Sequence, residues 1–219
     1  MAEIKKVMIA GGGALGSQVD WQSAVHGFDV MVYDAYDSGI KASKGFHAQN
    51  AQMFLSRKKF DQDSILRAQE NIHYTTDLAL SKDSQFISES IPEDMEIKRK
   101  FYQDLSFHIS EDTLVTTNSS TFLPSDFKHD ISKPIRFAAF HFANIIWDYN
   151  IGEIMVHTET SNETIKRVKS FAKRIGIVPV LLKKEQNGYI LNSILAPMIS
   201  NGMALLVNGV ADVEDIDKT

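Results

Sequence analysis

The stretch IAGGGALGS, residues 9–17, constrains this chain more than any other segment. Glycine is costly to order and brings no side chain, so Gly11, Gly12, Gly13 and Gly16 need a reason in the backbone. The β-type run KKVMIA precedes them, and the stretch from Ala14 to His26 reads as a helix. The next β-type run, DVMVYD, ends in Asp34. A Gly-x-Gly-x-x-Gly spacing on its own is weak. Placed between a strand and a helix, with an acid closing the following strand, it marks a dinucleotide-binding turn. Gly11 makes the tight turn, Gly13 lets a pyrophosphate reach the backbone at the helix N-terminus, and Gly16 permits close helix–strand packing. Ala14 and Leu15 belong to the same cofactor-binding loop. Asp34 is placed to accept hydrogen bonds from ribose hydroxyls, and its charge favours NAD over NADP. The alternative is a glycine-rich turn without a ligand.

Short β-type runs alternate with helical stretches along the chain, the pattern of a parallel sheet with crossover helices. The expected strands are KKVMIA, DVMVYD, NIHYTT, SQFISES, TLVTTN, IRFAAFHF, EIMVHT and IVPVLL. Helices are expected at Ala14–His26, Gly39–Arg57, Glu93–His108 and Asn162–Arg174, the last with Ser161 as N-cap and an acid in its first turn. The fold class is therefore α/β, a Rossmann-type doubly wound, mostly parallel sheet. From NGYILNSILAPMISNGMALLVNGV onward the apolar residues lie on nearly all sides, as in a helix covered by a second layer. This places a boundary near Glu185–Gly188, with residues 1–187 as the dinucleotide-binding domain and 188–219 as the beginning of an all-α domain.

Several classes of function are disfavoured by composition. The formal charge of −5 argues against a nucleic-acid partner. There are no cysteines, which excludes disulfides, thiol catalysis and thiolate metal sites; no metal site is expected. No run of 18 apolar residues suggests a membrane span, and Val7–Ala10 is too short for a signal-peptide core. The expectation is a cytoplasmic protein.

Hydride transfer to or from an alcohol needs a group for the hydroxyl proton, and histidine is the usual one. His141 ends the apolar strand IRFAAFHF, where ligands collect on a parallel sheet; by position alone it is equally a hydrogen-bonded strand-end histidine. Glu153, by itself, reads as a solvent-facing acid.

The glycine loop, SESIPEDMEIK, TNSSTF, FHFAN with Glu153 twelve residues beyond His141, and NGYILNSIL together resemble the L-3-hydroxyacyl-CoA dehydrogenases over essentially the whole chain. The resemblance implies NAD as cofactor and oxidation of an L-3-hydroxyacyl-CoA to the 3-oxoacyl-CoA, or the reverse, in fatty acid metabolism. It implies His141 as general acid/base and Glu153 as the carboxylate that holds its imidazole. Ser120 and Asn192 become donors to the reacting oxygen. Their bland readings are a strand-end turn and an amide bonding within a helix pair. Glu93 and Lys98 match positions near the nicotinamide ribose; both also suit a plain helix start with Pro92 near N1. Asn118 lines the nicotinamide end. Arg57-Lys58-Lys59 is either a contact for coenzyme A phosphates or a solvated charge run.

The chain departs from the family in places. The family reads His-Phe-Phe-Asn-Pro after the catalytic strand, where this chain has HFANIIWD; the lost proline and Trp147 are expected to reshape the wall beside the substrate. Ser193 stands where arginine is common, and Trp21 where small residues are. Family members continue for on the order of 100 further residues, which form a homodimer, so the helical domain is expected to be truncated. Two other readings stand beside the thioester dehydrogenase: a dehydrogenase of a free 3-hydroxy acid of the sugar-acid or carnitine type, and an NAD-binding module without catalysis.

Overall fold

The structure, a computed structural model, describes residues 3–219. All eight expected strands form, and they join one sheet in the order β3-β2-β1-β4-β5-β6-β7-β8. They are β1 (Lys6–Ala10), β2 (Asp29–Tyr33), β3 (Ile72–Thr75), β4 (Phe86–Glu89), β5 (Leu114–Thr117), β6 (Phe137–Phe142), β7 (Ile151–Met155) and β8 (Val178–Leu181). The order reverses at β1, which pairs with β2 on one side and β4 on the other. That reversal opens a crevice at the strands' carboxyl ends, where ligands bind in such sheets.

The helices are α1 (Gly16–Val25), α2 (Asp37–Ser56), α3 (Gln62–Glu70), α4 (Met95–Ser106), a single turn α5 (Pro124–Phe127), α6 (Asn162–Arg174), α7 (Leu191–Val207) and α8 (Val213–Lys218). The strands alternate their side chains between two cores. Val7 and Ile9 of β1 join the cluster of Trp21, Phe54, Phe140 and Phe171. Met8 and Ala10 join Phe101, Tyr102, Phe127 and Phe137 on the opposite face. The Ser161 hydroxyl caps α6, accepting from the Thr164 N–H at 3.0 Å. Trp21, large where the family is small, is fully buried, stacked on His47 and edge-on to Phe54.

Two strands run against the other six: β7 pairs antiparallel with β6, and β8 runs parallel to β7. Residues 143–150 are the whole connection between β6 and β7, too short for a parallel crossover of a dozen or more residues. The chain must turn back, and the register sets His141 directly opposite Glu153.

The helix expected from Glu93 starts at Met95. Asp94, rather than Pro92, stands at its beginning, its carboxylate accepting from the N–H groups of Glu96 and Ile97 at 2.9 and 3.0 Å. Beyond β8, α7 has no buried residue, and Ile194, Met198, Ile199 and Met203 are exposed along it. No helix among the described residues is long and apolar enough to cross a membrane.

Candidate active site

The glycine loop stands at the reversal point of the sheet. Gly11 has φ +111°, and a side chain there would strike the backbone of Ser90 at the end of β4. A Cβ on Gly16 would collide with the carbonyl oxygen of Gly11, so the close approach it permits is to the loop itself rather than to the strand. The N–H groups of Gly13, Ala14 and Leu15 make no backbone hydrogen bond among the described residues. They point out a helix N-terminus with free donors, the chemistry that holds a pyrophosphate. Beside them lies a cleft of about 690 Å³ lined by Gly11–Gly13, Asp34, Tyr36 and Pro92 among others.

Asp34 is tied into this loop. Its Oδ2 accepts from the Gly12 N–H at 2.8 Å and its Oδ1 from the Tyr36 N–H at 3.0 Å. A carboxylate oxygen has a further lone pair, so ribose hydroxyls can still donate to a carboxylate held in the cleft wall. The residues present therefore fit a dinucleotide.

At the other side of the crevice the second constellation assembles. His141 Nδ1 lies 3.0 Å from Glu153 Oε2, and His141 Nε2 lies 3.2 Å from Ser120 Oγ. His141 and Glu153 are 3% and 2% exposed; Glu153 is not the solvent-facing acid that position alone suggested. A carboxylate accepts only, so the Nδ1 proton is assigned to the bond with Glu153, leaving the Nε2 lone pair toward Ser120. The other Glu153 oxygen, Oε1, accepts from the N–H groups of Ile190 and Leu191 at 2.8 and 3.0 Å. The positive end of the α7 dipole thus faces the carboxylate.

The two serines of NSST have separate tasks. Ser119 is buried, its hydroxyl hydrogen-bonded to Glu93 and accepting from the Phe122 N–H; it holds the turn that presents Ser120. Asn192 sits in the first turn of α7, half-buried. It makes no hydrogen bond to Ser120 or His141 among the described residues, and its amide has no other partner there.

Glu93 and Lys98 are brought together, but with a partner the sequence reading passed over. Lys98 is 1% exposed, and its ammonium lies 2.5 Å from Glu89 and 3.3 Å from Glu93. It does not line the cofactor cleft; it neutralises Glu89, a carboxylate buried at the end of β4. Glu89 also accepts from Tyr102 Oη at 2.5 Å, Thr117 Oγ1 at 2.8 Å and the Ile91 N–H at 2.9 Å. An acid closing a strand buried on both faces was its only sequence signal. Burial pushes the Tyr102 phenol well up, and the Glu89 charge adds to that.

Partial burial raises the Glu93 carboxyl, but hydrogen bonds from Ser119 and Thr121 and the charge of Lys98 outweigh it and hold Glu93 below its ordinary value. A depressed folded value contributes stability above the unfolded pKa, near 4.5, and loses it as pH falls through the folded value. Glu93→Gln is expected to flatten the acid limb of a Tm-against-pH curve below that point; an unchanged limb would contradict this. Asn118 bridges three strand ends, donating from Nδ2 to Ser90 Oγ at 3.1 Å and accepting at Oδ1 from the Phe142 N–H at 3.0 Å.

The loop 143–150 is clamped beside His141. Gln18 of α1 accepts from the Ile145 and Ile146 N–H groups at 2.7 and 3.3 Å. Arg57 and Lys59 lie 2.8 and 2.7 Å from Asp148. Two of the three charges of the basic run are thereby engaged with the protein itself. Trp147 turns inward, edge-on to Phe54 at 5.2 Å. Ile145 stands where the family has proline and has φ +58°, which a proline ring cannot adopt.

The profile of the family described as 3-hydroxyacyl-CoA dehydrogenase, NAD binding domain, matches residues 6–186. The probable 3-hydroxyacyl-CoA dehydrogenase B0272.3 of Caenorhabditis elegans is 30% identical over 99% of this chain and 72% of its own length. Among solved structures, a diketoreductase characterised in catalysis of dicarbonyl compounds is 39% identical with a TM-score of 0.93, over 100% of this chain and 78% of that one. The (S)-3-hydroxybutyryl-CoA dehydrogenase PaaH1 of Ralstonia eutropha shares the fold, with 24% identity and a TM-score of 0.90 over 97% of this chain and 75% of its own. With a glycine-loop cleft facing a buried histidine–glutamate pair, the chain belongs to the 3-hydroxyacyl-CoA dehydrogenase family and is an NAD-dependent oxidoreductase.

Proposed function

We propose that the chain interconverts an L-3-hydroxyacyl-CoA and its 3-oxoacyl-CoA, with residues 1–187 as the NAD-binding domain and 188–219 opening a helical domain that forms a homodimer. The observation that carries the reading is the Ser120–His141–Glu153 line, buried at the crevice edge. NAD, held by the Gly11–Gly16 loop and Asp34, supplies the hydride acceptor when bound. His141 Nε2 takes the proton from the C3 hydroxyl in the oxidising direction and returns it in the reverse. Glu153 holds the imidazole by Nδ1 and stabilises its charged form. Ser120 Oγ donates to the C3 oxygen, which lowers the energy of the developing alkoxide. Asn192, whose amide has no partner among the described residues, is the second donor. His141 and Glu153 are nearly buried, while Ser120 is part-buried at the site, so the proton His141 takes leaves through the substrate side of Nε2.

A second reading, a 3-oxo compound that is not a thioester, draws on two observations. Arg57 and Lys59 are engaged with Asp148 rather than free for coenzyme A phosphates, and the wall at Ile145 departs from the proline-containing form. The 39% identical diketoreductase points the same way. NADH oxidation with acetoacetyl-CoA and with acetoacetate at equal concentration separates the two readings. The thioester is expected to react at least tenfold faster (roughly the worth of one good contact, about 1.4 kcal/mol). A clear preference for the free acid would replace it with the second reading.

A further inference from the structure

The turn that enters α7 contributes more to the His141 pair than backbone N–H groups. Gly188 and Tyr189 have φ +77° and +53°, two successive left-handed residues. A non-glycine residue in that conformation is uncommon. The result is that the Tyr189 ring lies face to face with the His141 imidazole, centroids 4.4 Å apart and planes 21° from parallel, while the next two N–H groups grip Glu153. The turn is tied down on both sides. Asn187 Nδ2 donates to the Thr121 carbonyl at 2.8 Å, and Glu185 accepts from the Ser125 N–H at 2.8 Å. Tyr189 is 1% exposed, and its hydroxyl has no hydrogen-bond partner among the described residues. The phenol oxygen therefore does not explain why the residue is held there; the ring does.

We infer that Tyr189 is a positioning residue for the proton transfer, its ring stabilising the imidazolium of His141 and fixing the imidazole plane along the Ser120–Glu153 line. An aromatic face carries negative charge density and attracts a cation stacked on it, more strongly when water is excluded. The charged and titratable groups around the stacked pair are Glu153 on β7, Glu89 at the end of β4, Glu93 before α4 and Glu185 before the turn. Burial, and then the Glu153 charge, push the Tyr189 phenol up, so the ring stays neutral and its face stays the group His141 meets. This inference rests on the reading of His141 as the acid/base.

The test follows the titration of His141 itself in the full 219-residue chain, by NMR of ¹³C-labelled histidine assigned with His141→Gln. Tyr189→Phe keeps the ring and restores the wild-type midpoint. Phenylalanine fluorinated at the ring, placed at position 189, keeps the shape while weakening the charge on the face; the midpoint is expected to fall stepwise with fluorination. Tyr189→Leu keeps His141 covered but removes the face, and is expected to lower the midpoint by about 0.5 to 1 pH unit. If the leucine variant does not fold, the fluorinated series decides alone. A midpoint that ignores fluorination, rises with it, or is absent in every variant would overturn the inference. Turnover surviving in His141→Ala would instead strike the functional reading, a result the titration does not share.

Discussion

Replacing His141 with alanine is expected to lower kcat by about 10³-fold, in the middle of the range for a positioned general acid–base, while NADH affinity changes by less than about twofold. The two outcomes separate because the imidazole at the end of β6 and the cofactor loop after β1 are distinct parts of the sheet's carboxyl edge. His141 is not among the residues lining the Gly11–Gly13 and Asp34 cleft. Its removal leaves Ser120 without its acceptor and Glu153 buried without its imidazole, so no neighbour is placed to take over the proton. Glu153→Gln keeps the shape but lets an amide face Nδ1, which no longer compensates the imidazolium; a loss of at least about 10²-fold, within the range for a positioned general acid–base, is expected. Steady-state turnover with NADH and a 3-oxoacyl substrate, beside a fluorescence titration of NADH, measures both quantities. A His141→Ala variant within tenfold of the wild type would contradict the assignment.

Replacing Lys98 with methionine is expected to destabilise the fold by about 3–5 kcal/mol, the usual cost of removing one partner from a buried ion pair. Among the described residues Glu89 pairs with no cation but Lys98, and its remaining partners, Tyr102, Thr117 and the Ile91 N–H, do not cancel its charge. At roughly 2–4 °C per kcal/mol for a chain of this size, Tm should fall by roughly 6–20 °C. The double variant Glu89→Gln with Lys98→Met removes both charges and should recover more than half of the loss, because much of the cost is the stranded carboxylate. NAD binding should also weaken in the single variant, since Glu89 orients the Ile91 N–H in a segment that walls the cleft. Thermal melts of the two variants and the wild type decide it. A single variant within about 1 kcal/mol of the wild type would show that Lys98 is not needed to neutralise Glu89.

Much of this molecule could be read from its sequence because the two periodicities are strong. β1 alternates Val7 and Ile9 with Met8 and Ala10 between the two cores, and α6 carries its cap at Ser161. The helix α3 was not legible: in QDSILRAQE only Ile65 and Ala68 are buried, too few to mark a face. The mostly parallel sheet was legible, but not which strands depart from it: the reversal at β7, and with it the reason for the twelve-residue spacing between His141 and Glu153, is the register of an antiparallel hairpin. Ser120 and Glu153 were legible only through family resemblance, whereas His141 also stood out at the end of an apolar strand. The Glu89–Lys98 pair and the Asp148 clamp with Arg57 and Lys59 were not, because each joins segments that only the folded sheet brings together. Lys98 could be seen as a helix-start lysine or a cofactor contact; its true neighbour lies across the end of β4.

Hydride is expected to move between NAD and the third carbon of a 3-oxo or 3-hydroxy compound, beside His141. NADH carrying deuterium at C4, prepared with the label on each face in turn, tests it without relying on any mutation. Incubation of the full chain with acetoacetyl-CoA and with acetoacetate, followed by mass spectrometry and NMR of the product, is expected to show deuterium at C3 from one face only. NADH that binds but delivers no deuterium to either compound would contradict the claim and leave a nucleotide-binding protein without this chemistry.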